Sequence, residues 1–310
     1  MRIAVASSGL GHIARGIETC ALLLAESLNN EAKYTPGLSI TLFHATRPIQ
    51  PISLPNAVAL PGFKRGTWAN RWMTCLCARL GGWRYGFGSS YETEQTTFAP
   101  GLIRALRVGR YDIVHLQDPG LAWLLEKARR RGRHPAQVIL AHGTEESPEF
   151  LKRFPFLQEL TPVRADRSRS SISPGTHLWM IPNFVDTHRF VLAKSEASRR
   201  DLRARLNLAP ETRIIGCVAA LKATHKRLDY LIDEFTSWLS TVPNSAYYAL
   251  VLLGATTSET PVLRDQIERS PARAQIRMLA DLPYGEMPNY YVGFDLHVLC
   301  SLKEMFGISP

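Results

Sequence analysis

Three groups of residues have the types and spacing that chemistry needs. The first centres on one carboxylate, Glu304. It follows the apolar run Phe294-Asp295-Leu296-His297-Val298-Leu299-Cys300 and a Ser301-Leu302 turn, and it leads into Phe306-Gly307, an expected helix start. A carboxylate at a strand's end ahead of a helix sits where open α/β sheets bind ligands. The second group is the loop Lys222-Ala223-Thr224-His225-Lys226-Arg227, ahead of a helix expected from Leu228. Cations at a helix start oppose its dipole and cost roughly 0.3–1 kcal/mol when idle. A diphosphate would neutralise them. The third is Ser7-Ser8-Gly9-Leu10-Gly11-His12, at the end of the first expected strand. Glycines at such a turn let backbone N–H groups approach a phosphate, and the following helix adds its dipole.

Other candidates lie at strand ends. Asp112-Ile113-Val114-His115-Leu116 is followed by Gln117 and Asp118. Asp118 is read as a group on the catalytic edge and as the cap of a helix starting near Gly120, a common role for Asp, and the two roles are compatible. His142 ends the next strand, beside Gly143, and is read equally as a site residue or as a core histidine satisfied by a neighbour. His12 is either ligand-facing or an ordinary helix N-terminal residue. The pattern Gly9-x-Gly11-x-x-Ala14 also satisfies the dinucleotide fingerprint. An NAD(P) site is disfavoured, because no acid ends the second strand, Thr41-Leu42-Phe43-His44-Ala45-Thr46.

Short apolar strands alternate with longer helical segments, as in parallel α/β sheets. In the first half, strands are predicted at 2–7, 39–44, 112–116 and 137–141, and helices at 16–29, 101–108 and 121–131. The stretch from Pro48 to Tyr91, rich in Pro, Gly, Trp and Arg, reads as irregular. A second series has strands at 214–219, 248–253, 275–279 and 295–299, with helices at 196–206, 228–239 and 260–270. Two Rossmann-like domains, 1–178 and 179–310, are the expected organisation. The second shows about four strands where a complete unit has roughly six, so it reads as incomplete.

Composition narrows the class. The chain has 310 residues, 45% of them hydrophobic, and a net charge of +10. That balance attracts polyanions, anionic headgroups or phosphorylated substrates. No apolar run approaches the ~18 residues of a membrane span. The N-terminus runs directly into a strand, without the regions of a signal peptide. Five scattered cysteines suit a reducing cytoplasm, and Cys75 and Cys77 lack the spacing and partners of a metal site.

The motifs taken in order resemble the retaining glycosyltransferases of family 4, which have the GT-B fold. The residues that carry the resemblance are Gly9-Leu10-Gly11-His12 with Arg15-Gly16-Ile17-Glu18, and His142-Gly143-Thr144. In the second half they are Ser173-Pro174-Gly175-Thr176, Ile181-Pro182-Asn183-x-Val185-Asp186, the stretch from Leu221 through Lys226 and Leu228-Asp229 to Phe235, and Glu304-x-Phe306-Gly307. The resemblance implies an α/β GT-B chain of two Rossmann-like domains facing a cleft, the second incomplete. It also implies sugar transfer from a nucleoside diphosphate sugar with retention of configuration, without metal or other cofactor. The donor would be held by Gly9, Gly11, Lys222, Lys226, Arg227, Glu304, Phe306 and Gly307. Glu304, His142 and Asp118 would be the catalytic set, and His12 and Arg15 would lie on the acceptor side.

Departures from the family pattern are also legible. Ala220 stands where the family has Arg, Arg227 where it has Gly, and Cys300 where it has Pro. The second glutamate of the E-x7-E signature would lie just past Pro310, so the chain reads as truncated there. These departures keep open a non-catalytic remnant that binds a nucleotide sugar or a partner. The segment from Phe63 to Tyr85 interleaves Trp with Arg. It is read as a peripheral membrane contact, an acceptor pocket or a packed helix, with no nucleic-acid module beside it. The expected location is cytoplasmic, with the inner membrane face as the contact surface, and the expected acceptor is a sugar or lipid-linked sugar.

Overall fold

The computed structural model describes residues 1–13, 16–45, 52, 54–189 and 195–304. It divides into two compact units, Met1–Phe184 and Val185–Pro310. The division falls a few residues beyond position 178, because His177–Met180 is the last strand of the first sheet.

The first unit holds β1 (Arg2–Ser7), β2 (Ser39–Ala45), β3 (Ala57–Leu60), β4 (Ile113–Leu116), β5 (Gln137–His142), β6 (Phe156–Glu159) and β7 (His177–Met180). They lie in the order β3-β2-β1-β4-β5-β6-β7, and every pairing is parallel. Helices α1 (Gly16–Glu31), α3 (Ser90–Gly109) and α4 (Pro119–Arg130) sandwich it. Alternation along β1 explains the layers. Ala4 and Ala6 pack with Phe98, Leu102 and Leu121 under α3 and α4, whereas Ile3 and Val5 pack with Ala21 and Ala25 of α1. Strands covered on both faces become continuous apolar runs, which is why β1, β2, β4 and β5 were readable.

The second unit holds β8 (Arg213–Val218), β9 (Tyr248–Gly254), β10 (Ile276–Ala280) and β11 (Leu296–His297), in the parallel order β10-β9-β8-β11. On one face α8 (Leu228–Leu239) and α9 (Thr260–Arg269) bury Ile232, Phe235 and Leu263 against Cys217, Leu250 and Leu252. On the other, α7 (Ser195–Arg205) and α10 (Met287–Gly293) bury Leu202, Tyr290 and Phe294 against Ile214 and Val251.

Several expectations are corrected. The stretch read as irregular contains β3, the helix α2 (Trp68–Arg79) and a 3₁₀ turn at Gly82–Tyr85. The helix placed at 101–108 starts at Ser90 and runs through Pro100. An interior Pro removes a helical hydrogen bond and reads as a breaker, but burial of Phe98, Ala99, Leu102 and Leu106 holds the helix continuous. The short strands β6 and β7, the helices α5 (Pro148–Leu151) and α6 (Pro162–Arg169), and α10 gave too few periodic residues to be recognised. The strand before Glu304 is shorter and more exposed than its apolar run suggested: it pairs only through Leu296 and His297, and Leu296 is 54% exposed.

Candidate functional site

In the second unit, β8 and β11 are parallel neighbours, so the loops leaving their C-terminal ends emerge side by side. There Lys226 Nζ donates to Glu304 Oε1, an ion pair between residues 78 apart in sequence. Burial works to raise the Glu304 pKa. The hydrogen bond and charge of Lys226 outweigh it and hold the carboxyl below its ordinary value. Cys300 secures the same loop, since its thiol lies 3.1 Å from the Lys226 carbonyl and 3.2 Å from that of Arg227. A proline, usual at this position in the family, would have no side-chain group to donate there.

Arg227 has φ 52° and ψ 38°, the left-handed region. Only glycine adopts it without a steric penalty, which explains the family's Gly at this place. The Arg227 guanidinium lies 3.4 Å from Asp229 Oδ1 and over the Tyr230 ring. Lys222 reaches Glu259, at 3.7 Å. Glu259 in turn accepts from the backbone N–H groups of Ala223 (3.0 Å) and Thr224 (2.9 Å), and so shapes the cationic loop. Nothing in its spacing links Glu259 to residue 223, and sequence reading missed it.

The first unit carries a buried charge network at the C-terminal ends of β1 and β4. Glu94 pairs with His12 Nε2 (2.6 Å) and accepts from the Arg65 backbone N–H (2.7 Å), Arg65 Nε (3.0 Å) and the Ser8 hydroxyl (3.2 Å). Arg65 also donates to Glu18 Oε1 (3.1 Å) and stacks over the Tyr91 ring at 4.3 Å. Asp118, fully buried, accepts from the Ser8 backbone N–H (2.8 Å) and the Tyr91 hydroxyl (2.7 Å). It occupies the cap position of α4 but makes no capping bond with its side chain. The capping role is therefore replaced by one that pins Ser8, and the carboxylate is closed to direct contact with a ligand. Burial first, then the Asp118 charge, push the Glu18 carboxyl up to about 7, against the pull of Arg65. Among the described residues, His12 Nδ1 and Glu18 Oε2 are buried without a hydrogen-bond partner.

The glycines make this network possible. Gly11 has φ 100°, and the N–H groups of His12 and Ile13 both return to the Gly9 carbonyl. A Cβ on Gly9 would lie 2.1 Å from Glu18 Oε1 and 2.6 Å from an Arg65 nitrogen. Gly9→Ala is accordingly expected to force the Glu18–Arg65 pair apart and to cost about 1–3 kcal/mol, the usual range for overpacking. A urea midpoint unchanged from wild type would contradict this geometry.

His142 has the partners of a satisfied buried histidine. Nδ1 is 2.8 Å from Glu159 and Nε2 is 3.0 Å from Glu146, while Arg164 lies against the ring and donates to the Thr144 carbonyl. Burial would lower its pKa, but the two glutamates prevail and raise it. His115 is bonded to Gln158 (2.7 Å) and Gln117 to Asn183 (3.1 Å). Arg15, Phe306 and Gly307 lie outside the described residues. Glu94, Arg65 and Glu159 were not foreseen. The first two come from α3 and from the stretch taken as irregular, and only tertiary packing brings them to His12.

Each of the two α/β units has a parallel sheet and carries polar clusters at the C-terminal ends of its strands. Residues 79–217 match the model of Glycosyltransferase Family 4. The chain is similar in structure to Anabaena HepE in complex with UDP-glucose, with a TM-score of 0.67, 14% identity, and 97% of this chain and 74% of that chain covered. It is also similar to sucrose-phosphate synthase of Thermosynechococcus elongatus (0.65, 14%, 99% and 77%). A third likeness is to the catalytic domain of starch synthase IV of Arabidopsis thaliana, bound to ADP and acarbose (0.64, 12%, 98% and 78%). No curated protein matches the chain significantly in sequence. The resemblance to family 4 glycosyltransferases of the GT-B fold therefore holds. The family match includes Asp118 and His142 but neither Gly9–His12 nor Lys226 and Glu304, so those positions rest on their own motifs and geometry.

Proposed function

We propose that the chain transfers a sugar from a nucleoside diphosphate sugar to a sugar or lipid-linked acceptor, with retention of anomeric configuration, in cell-envelope or glycolipid synthesis. The observation that carries this reading is the meeting of Lys226 and Glu304 at the C-terminal edge of the second sheet. The ammonium is held in place by Glu304 before any donor arrives. An entering diphosphate takes over that charge and leaves the carboxylate beside the donor sugar. As the bond from the sugar to the diphosphate breaks, negative charge grows on the leaving oxygen. Lys226, Arg227 and the N-terminus of α8 supply fixed positive potential for it.

In the first unit, the glycine turn at Gly9 and Gly11 is assigned to the phosphates, and His12 and Arg15 to the acceptor. The support for that assignment is positional: His12 follows the glycine turn, and Glu94 at 2.6 Å from Nε2 fixes the orientation of its ring. Asp118 and His142 act as positioning residues in this reading, one holding Ser8 and the other tied between Glu159 and Glu146. The UDP-glucose of HepE and the ADP of the starch synthase domain support a nucleotide donor. A second reading, a binder without turnover, is favoured by Ala220 and by the strained Arg227.

Calorimetric titration with UDP, GDP and ADP tests the proposal. Binding of one of them, with release of that nucleotide from its sugar conjugate when an acceptor is added, is the expected result. Silence towards all three removes the donor site. Binding without turnover favours the second reading.

A further inference from the structure

Helix α2 is turned inside out. Two of its polar residues face the protein: Asn70 is fully buried, with Nδ2 donating to the carbonyls of Phe63 (2.7 Å) and Ser90 (3.0 Å), and Thr74 bonds the Thr93 hydroxyl (2.7 Å). Its largest apolar residues face water. Trp68, Trp72, Leu76 and Leu80 follow at four-residue spacing, so they share one side of the helix. Their exposures are 77%, 52%, 42% and 78%. The two tryptophans stack on each other at 6.3 Å, which gives a continuous apolar ridge. The next turn adds Trp83, 60% exposed, with the Arg84 guanidinium 4.9 Å over its ring.

Charge selects the occupant of this face. No acidic residue occurs between Glu31 and Glu92, while Arg71, Arg79 and Arg84 are exposed on and beside the ridge. A helix with tryptophan on its outer face and arginine at the margins fits a bilayer boundary: the rings sit at headgroup depth, and the guanidinium groups meet phosphates. Among the described residues no helix is long and apolar enough to cross a membrane. We propose that the outer face of α2, with the turn that follows it, docks the chain on a membrane surface bearing anionic lipid headgroups. The helix is packed through Asn70 and Thr74, while the ridge on its other side is exposed. The proposal does not depend on the transferase reading, because it rests on a surface that carries none of the assigned donor or acceptor residues.

The test is co-sedimentation of the full chain with vesicles of phosphatidylcholine alone and of phosphatidylcholine with phosphatidylglycerol, with tryptophan emission read in parallel. The chain is expected to pellet with the anionic vesicles, with a blue shift, and to be released by salt. The double variant Trp68→Ser/Trp72→Ser should weaken that binding at least about tenfold without lowering the melting temperature, since neither ring is buried. Arg71→Gln/Arg79→Gln should abolish the preference for anionic over neutral vesicles. Failure of the wild-type chain to bind either vesicle would overturn the proposal. So would vesicle binding unchanged by Trp68→Ser/Trp72→Ser. Concentration-dependent dimerisation abolished by Trp72→Ser, without vesicle binding, would instead make the ridge an interface between copies.

Discussion

Lys226→Ala is expected to weaken binding of the cognate nucleoside diphosphate about 10- to 100-fold, the loss of roughly 1.5–3 kcal/mol that goes with one hydrogen bond to a charged group. Lys226 is the one cation of its loop whose ammonium meets Glu304. Lys222 is engaged by Glu259 and Arg227 by Asp229. Folding should change little, because a partly exposed ion pair contributes about 1 kcal/mol or less. Glu304→Gln separates two roles. It frees the ammonium while removing the carboxylate, so nucleotide affinity should hold or rise and the transfer rate should fall. Calorimetry on both variants, with transfer measured beside it, decides the matter. An unchanged dissociation constant in Lys226→Ala would sink the assignment of the donor site.

Arg65→Ala should be the most damaging single change in the first unit. The Arg65 guanidinium bonds Glu94 and Glu18, and its charge also reaches the buried Asp118. Removing one partner of a buried ionic network leaves uncompensated charge and costs about 3–5 kcal/mol. Chemical denaturation at neutral pH would show it as a large fall in midpoint. The same network makes stability depend on pH. The Glu18 carboxyl stands at about 7 in the folded chain against an ordinary value of 4.5. Between those values the folded state holds a proton that the unfolded state has lost, so stability declines as pH rises through this window. The decline is complete above about pH 7 and amounts to something on the order of 3 kcal/mol. In Glu18→Gln the slope should shrink by that contribution, leaving the variant at least as stable as wild type at pH 8. A wild-type midpoint that is flat between pH 5 and 8 would show that Glu18 titrates normally.

Much of the fold was legible because parallel strands buried on both faces read as unbroken apolar runs. Those at 2–7, 137–141 and 248–253 could be placed from the sequence within a residue or two of β1, β5 and β9. The helix placed at 228–239 matches α8, whose apolar face repeats at helical spacing: Leu228, Leu231, Ile232, Phe235 and Leu239 are its buried residues. The family resemblance was legible for a related reason. Its motifs are short, local and tied to strand ends, where backbone geometry restricts which residues fit. Arg227 shows that restriction through its departure, for the left-handed backbone that normally calls for glycine is kept with an arginine in it.

What the tertiary structure alone decided is which charges meet. The sequence singled out Gly9, His12 and Asp118, but not that Glu94 from the middle of α3 and Arg65 from an apparently irregular stretch would complete their network. It placed Lys226 and Glu304 in separate motifs, and only the adjacency of β8 and β11 brings the two side chains together. It marked the Trp- and Arg-rich segment as unusual without showing that α2 buries its asparagine and exposes its tryptophans. The physical reason is common to all three. Hydrophobic periodicity reports the state of a segment along the chain, whereas the pairing of polar groups depends on distances across the fold, which no local spacing encodes.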